Sequence, residues 1–185
     1  MIIPPVTLAD GIVMRPAVQT DAEALADAYV RNREHLAPTS PHRDESFFTA
    51  EGQDARLRDE LAQWEAGRLV PWVLAGDGRI LGTVTLSQIV LGPWRNANLG
   101  YWIDAGHLGR GLATRAARSA CRAADEHLGL HRVAAGTLTD NVASQRVLLG
   151  SGFTWIGRAP DYLYIAGAWR EHLIFQRILN ERPAV

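Results

Sequence analysis

The sequence predicts one α+β domain over residues 1–185: a central, twisted, mostly antiparallel sheet of about seven strands, flanked by helices and carrying one parallel pair. Apolar residues recur at helical spacing in some segments and as short, nearly continuous runs in others. Tight-turn dipeptides separate consecutive strand-like runs, which marks antiparallel hairpins. An alanine-rich helical segment is bracketed by strand-like runs, and such a crossover leaves its two strands parallel.

The elements follow in order. Gly11-Ile-Val-Met-Arg15 reads as the first strand, stopped by Pro16. Thr20 and Glu23 have capping-box spacing ahead of a helix running to about Arg33. The stretch from His35 to Ser46, dense in Pro, Ser, His and acids, reads as a loop or broken helix, placed either to contact substrate or as a solvated connector. Thr49 caps a second helix whose stripe includes Ala50, Leu57, Leu61 and Trp64, closed by Gly67. Residues Leu69 to Ala75 and Ile80 to Leu86, joined by Gly76-Asp-Gly-Arg79, form a hairpin, and Gly92-Pro-Trp-Arg-Asn96 turns the chain into the strand Leu99 to Ile103.

A long helix spans Leu112 to Leu128, followed by a strand over His131 to Leu138 and a short helix over Val142 to Leu149 capped by Asp140 or Asn141. Phe153 to Gly157 and Leu163 to Leu179 are expected as the last strands, joined through Arg158-Ala-Pro-Asp161.

With 47% hydrophobic and 21% charged residues, the chain has material for one sizeable core. A net charge of -1 argues against a general nucleic-acid surface. The N-terminus lacks the pattern of a signal peptide, and no apolar run approaches the ~18 residues of a membrane span. The single Cys121 rules out a disulfide framework and points to the cytoplasm. It reads as a small core residue, with no histidine near it in sequence to activate it. Every basic residue is arginine.

Between the fourth expected strand and the long helix lies Asp104-Ala-Gly-His-Leu-Gly-Arg-Gly-Leu-Ala-Thr114. A strand that ends in a glycine loop and opens a helix leaves backbone N–H groups pointing one way, with the helix dipole behind them. This is an anion site, or an ordinary strand-to-helix turn. Gly109 and Gly111 let the backbone approach a phosphate. A Walker loop is excluded because the chain has no lysine, and a dinucleotide fingerprint because the third glycine is missing.

The order of elements, Gly109-Arg-Gly111 opening a helix, and Asn141-Val-Ala-Ser144 followed by Gly152-Phe153 resemble the GNAT acyl-CoA N-acyltransferase superfamily. Asn-Val-Ala-Ser-Gln-Arg-Val-Leu and the later Tyr162-Leu-Tyr-Ile-Ala-Gly-Ala-Trp-Arg-Glu-His172 look most like its RimJ/RimL branch, which acetylates protein N-terminal amines. The resemblance covers nearly the whole chain. It implies a GNAT fold whose splayed parallel pair holds acetyl-CoA, and direct acyl transfer without a covalent enzyme intermediate. No metal is implied.

Carried residue by residue, the superfamily's pyrophosphate pattern falls on Gly106-His-Leu-Gly109-Arg110-Gly111, with Gly106 in place of Gln or Arg. The anion is then held by the amides of Leu108, Gly109, Arg110, Gly111, Leu112 and Ala113, with Thr114 closing the loop. Arg110 and Arg115 lie near enough to reach phosphate oxygens, and Arg146 is a further contact. Arg118 and Arg122 read as a solvated face. Asn141 is implied to bind the pantetheine arm, and Ser144 to donate to the leaving sulfur; alternatively Asn141 only caps the helix and Ser144 is a surface residue. A backbone N–H near Ile103 is implied to meet the oxyanion.

The resemblance implies a Glu after Gly-Phe as general base and a Tyr on the short helix as acid, but Ile156 and Leu148 occupy these positions. His35, His42, Asp44, Glu45, Asp161, Tyr162, Glu171 and His172 remain as candidates, none preferred. An α-amine with pKa ~8 is partly neutral near pH 7, whereas a lysine amine at ~10.4 is not, so the missing base favours an N-terminal acceptor. A small-molecule amine of the antibiotic type, and an acyl-CoA-binding module with little activity, stand as alternatives. The protein is expected as a monomer or homodimer; Trp155 and Trp169 belong either to a dimer surface or to the core.

Overall fold

The computed structural model describes residues 2–183. An eight-stranded sheet runs in the order β1-β2-β3-β4-β5-β6-β8-β7. Its strands are β1 (Val6–Ala9), β2 (Ile12–Pro16), β3 (Val70–Gly76), β4 (Arg79–Val90), β5 (Asn96–Ile103), β6 (Arg132–Leu138), β7 (Thr154–Ile165) and β8 (Ala168–Ile178). Among the described residues only β5 and β6 pair in parallel, through the crossover helix α4 (Leu112–Glu126), as expected. The other helices are α1 (Ala22–Arg31), α2 (Arg33–Leu36), α3 (Ala50–Glu65) and α5 (Val142–Gly150).

The sheet separates two apolar cores. Helix α4 lays Ala116, Ala117, Ala120, Cys121 and Ala124 against Leu86, Leu99, Ile103 and Val133 on one face. Alanine on this stripe lets the helix approach the sheet closely, and Cys121 is one more small side chain in it, its thiol pushed up to about 11 by burial. On the other face Leu25, Ala28 and Tyr29 of α1 and Leu57 of α3 pack on Val73 and Ile80.

Four expectations are corrected. The count of about seven strands omitted β1, which pairs with β2 across Asp10-Gly11, Gly11 taking a φ of +67°. The capping box at Thr20 does not form. Arg15 holds the Asp21 carboxylate at 2.6 and 2.8 Å, Asp21 also accepts from the Val18 amide, and α1 starts after it. The chain does not reverse at Arg158–Asp161, where Pro160 and Asp161 (φ +48°) only interrupt the ladder inside β7, an edge strand that tolerates both. It reverses at Ala166-Gly167, both with positive φ, as a two-residue hairpin requires. Finally, Trp155 and Trp169 are 56% and 60% exposed, so core packing does not account for them.

Among the described residues, no helix is long and apolar enough to cross a membrane.

Candidate active site

The site begins where β5 and β6 part. Their parallel pairing covers Asn96↔Arg132, Ala97↔Val133 and Asn98↔Ala134, after which β6 stays with β8 and β5 stays with β4. The facing edges beyond that point carry backbone groups with no ladder partner. The Asp104 amide donates to Leu81 O in β4, so alternation turns the Ile103 N–H toward the gap. On the β6 side, the stretch running beside the gap holds Thr137, whose buried Oγ1 finds no partner among the described residues.

Asp104 then anchors the loop. Its carboxylate accepts from Arg31 Nε at 2.8 Å, Asn32 Nδ2 at 2.9 Å and the Gly106 amide at 3.0 Å, with His107 Nδ1 at 3.3 Å. Burial pushes its carboxyl up, but these donors outweigh burial and hold it well below the usual carboxylate range. The network also explains Gly106. A Cβ there would stand 3.2 Å from Asp104 Oδ1, so a Gln or Arg would press on the anchor.

Beyond the anchor the chain takes φ values of +72° at Gly109 and +70° at Gly111, and Gly111 becomes the N-cap of α4. Among the described residues, the backbone amides of Gly109 and of Gly111 to Thr114 donate to no protein acceptor; the first amide of this helix to do so is that of Arg115, to Gly111 O. A Cβ on Gly109 would meet nothing within 4 Å. Arg115 folds back to donate to Arg110 O at 2.6 Å, which places its guanidinium over the loop. Run of free amides, open cradle, helix dipole and arginine together suit a pyrophosphate.

Helix α5 forms the opposite wall. Asn141 Oδ1 accepts from the Ser144 amide at 3.0 Å, so Asn141 is a cap, with its Nδ2 left without a protein acceptor among the described residues. Ser144 is not a bare surface residue. Its Oγ lies 2.9 Å from the Tyr101 hydroxyl, which also reaches Ser144 O at 3.3 Å. Tyr101 and Trp102 point to opposite faces of the sheet, as neighbours in a strand must. Tyr101 packs with the α4 core, and Trp102 with Tyr29.

Tyr101, Ile103, Gly109, Gly111, Asn141 and Ser144 line one cavity of about 470 Å³, together with Leu108, Leu112, Ala113, Thr114 and Arg146. Arg110 is exposed beside it, and Arg118, which donates to Gly150 O, lies with Arg122 on a separate groove. Sequence reasoning missed Tyr101, because nothing local shows that a strand residue meets a helix residue forty-three positions later.

A second cavity, of about 660 Å³, adjoins the first, sharing Leu36 and Trp102 as walls. It is lined by Tyr29, Phe47, Phe48 and Trp102, with Arg33 and Arg43 stacked on Phe48 and Phe47.

Of the candidate bases, His35 lines the first cavity and His42 the second. Arg33 grips Glu45 and holds its carboxyl below the usual range. Glu171 pairs with Arg158, and Tyr162 stacks on His172, which is buried. Asp44, Asp161, Tyr162, Glu171 and His172 line neither cavity. Ile156 is exposed and Leu148 is buried in the core, so neither position offers the chemistry usual there.

Comparisons with known proteins agree with this geometry. The Acetyltransferase (GNAT) domain family matches residues 12–154. The [Ribosomal protein uS5]-alanine N-acetyltransferase of Escherichia coli is 34% identical over 175 residues, covering 93% of this chain and 90% of the relative. The structure of the ribosomal-protein-S5-alanine acetyltransferase of Vibrio fischeri superposes with a TM-score of 0.93 at 31% identity, covering 98% of this chain and 100% of that one. Mycobacterium smegmatis RimJ in complex with CoA-disulfide gives 0.87 at 28% identity, covering 94% and 85%. The parted strands, the free amides and these matches lead to one conclusion: the chain belongs to the GNAT acetyltransferase family, in its RimJ/RimL-type branch, and is an acetyl-CoA-dependent N-acetyltransferase.

Proposed function

We propose that the acceptor is the α-amine of a protein N-terminus, of the ribosomal-protein kind for which the Escherichia coli and Vibrio fischeri relatives are named. The observation that carries this reading is the second cavity. It opens beside the first at Trp102, its walls hold Arg33 and Arg43, and no carboxylate lines it among the described residues. A polycationic antibiotic would meet guanidinium groups there, and the one carboxylate nearby, Glu45, is already taken by Arg33. A peptide N-terminus needs only its one amine to be neutral, and at pKa ~8 about a tenth of it is so near pH 7. No dedicated carboxylate base is then required, and water or His35 suffices to receive the proton.

In the first cavity, acetyl-CoA supplies an activated acetyl thioester. The amides of Leu108 to Ala113, with Thr114 and Arg115, hold its pyrophosphate, and Asn141 Nδ2 donates to the pantetheine arm. The Ile103 N–H, turned toward the gap, would stabilise charge that develops on the thioester oxygen. Ser144 donates to the sulfur. The acceptor enters from the opposite face of β5, so both partners are present together and no covalent enzyme intermediate is needed. Cytoplasmic location belongs to the same reading.

Thiol release measured with acetyl-CoA over a panel of peptides, free lysine derivatives and aminoglycosides tests the proposal, with mass spectrometry locating the acetyl group. Peptides acetylated on the α-amine are expected to dominate. Aminoglycosides preferred over every peptide would overturn the acceptor assignment, and coenzyme binding with no release on any amine would favour a binding module.

A further inference from the structure

Two features around α5 stand together. The tyrosine usual on the short helix is replaced by the buried Leu148, and another tyrosine arrives at Ser144 from the facing strand. Tyr101 lies on the coenzyme face of β5 and lines the cavity, and among the described residues its hydroxyl bonds to Ser144 alone, at Oγ (2.9 Å) and at O (3.3 Å).

We infer that Tyr101 is a positioning residue for acetyl transfer, its phenol donating to Ser144 Oγ so that the serine's own proton is aimed at the departing sulfur. The inference rests on the placement of the thioester beside Ser144. A serine hydroxyl rotates freely about its C–O bond, and its single proton serves either a protein acceptor or the ligand. Ser144 has a natural internal acceptor, because hydroxyls in a first helical turn readily bond back to nearby backbone. A donor from Tyr101 occupies the lone pair on the strand side and leaves the proton on the cavity side. The phenol suits this task because it stays protonated: burial pushes it up to about 12, the bond with Ser144 pulling the other way.

The balance of the transfer is simple. The C–N bond forms and the C–S bond breaks, its electron pair passing to sulfur. The amine nitrogen releases one proton to solvent and the sulfur takes one up. Ser144 and Tyr101 end the cycle with their own protons, having served as hydrogen-bond donors.

The test combines turnover with a binary complex. Tyr101→Phe removes the hydroxyl and keeps the ring, so the fold is retained and a melting curve confirms it. Loss of one oriented hydrogen bond is expected to lower kcat about five- to tenfold with KM for acetyl-CoA unchanged. Ser144→Ala is expected to lower kcat by at least as much, and the double variant no further than Ser144→Ala alone. Independently of turnover, the thiol of free CoA bound to the wild-type protein, followed by thiolate absorbance, is expected to ionise at lower pH than in solution. Either single substitution should abolish most of that shift.

Three results would overturn the inference: Tyr101→Phe within twofold of wild type, a double variant that falls by the product of the single effects, or an unchanged thiol titration in Tyr101→Phe. If Ser144→Ala itself changes neither readout, the placement of the sulfur at Ser144 fails, and the role of Tyr101 with it.

Discussion

Replacing Gly109 with alanine separates what the glycine does for the fold from what it does for the coenzyme. Gly109 has a φ of +72° and Gly67, at the end of α3, has +71°; a Cβ on either meets nothing within 4 Å. The backbone cost of alanine is therefore the same at both, about 1–2 kcal/mol for a left-handed L-residue. For a chain of 185 residues that lowers the melting temperature by roughly 2–4 °C per kcal/mol. Only Gly109 lies in the loop of free amides. There the new methyl takes space the anion needs, and losing one charge-assisted amide bond, about 1.5–3 kcal/mol, raises KM about ten- to a hundredfold. Melting curves, a thiol-release assay and calorimetry with CoA provide the comparison. Gly109→Ala and Gly67→Ala should melt alike and differ only in coenzyme affinity. Equal affinity in the two would refute the pyrophosphate assignment.

Other perturbations follow from the same geometry. Asp104→Asn leaves Arg31 facing a neutral amide in a half-buried pair, and a loss of about 2–4 kcal/mol in chemical denaturation is expected. Because the folded carboxyl is held below its unfolded value, this stabilisation is full above the unfolded pKa of ~3.9 and fades as pH falls through the lower folded value. Wild type and Asp104→Asn should therefore converge in stability under acid and diverge at neutral pH. For an α-amine acceptor, kcat/KM should rise with pH and level off near ~8, and His35→Gln should leave that limb in place; a second limb at lower pH that is lost in the variant would make His35 the base. Leu148→Tyr, which restores the usual residue, should destabilise by about 1–3 kcal/mol without raising kcat, since that side chain is buried in the core.

The parts of the fold legible in the sequence were those set by local chemistry. Thr49 caps α3 through the Gly52 amide as its position suggests, and Asp77-Gly78 turns the central hairpin with both residues at positive φ. The crossover through α4 followed from its flanking strands. What escaped depended on distant partners. The register of Thr20 and Glu23 matched a capping box, but Arg15 on the neighbouring strand captured Asp21 instead. Pro160 marks a turn in most contexts, yet on an edge strand it removes no ladder bond that a central strand would need. Strand β1 was signalled by Asp10-Gly11 and is short enough to be absorbed into a leading segment.

At the site, the loop glycines and the Asn141–Ser144 pair were readable because they lie close in sequence. Tyr101 and the aromatic walls contributed by Tyr29, Phe47 and Trp102 come together only through the sheet.

The buried knot at Asp104 bears on how the enzyme meets its coenzyme. Arg31 and Asn32, at the end of the helix behind the second cavity, and the foot of the proposed pyrophosphate loop share one carboxylate. The Ala105 amide adds a bond to Asn32 Oδ1 at 2.8 Å. The loop is thus fastened before any ligand arrives, and its amides need not be gathered from a loose ensemble when the anion docks. Coenzyme capture then resembles a key entering a cut lock, and any slackening of the knot would register on both sides of β5 at once.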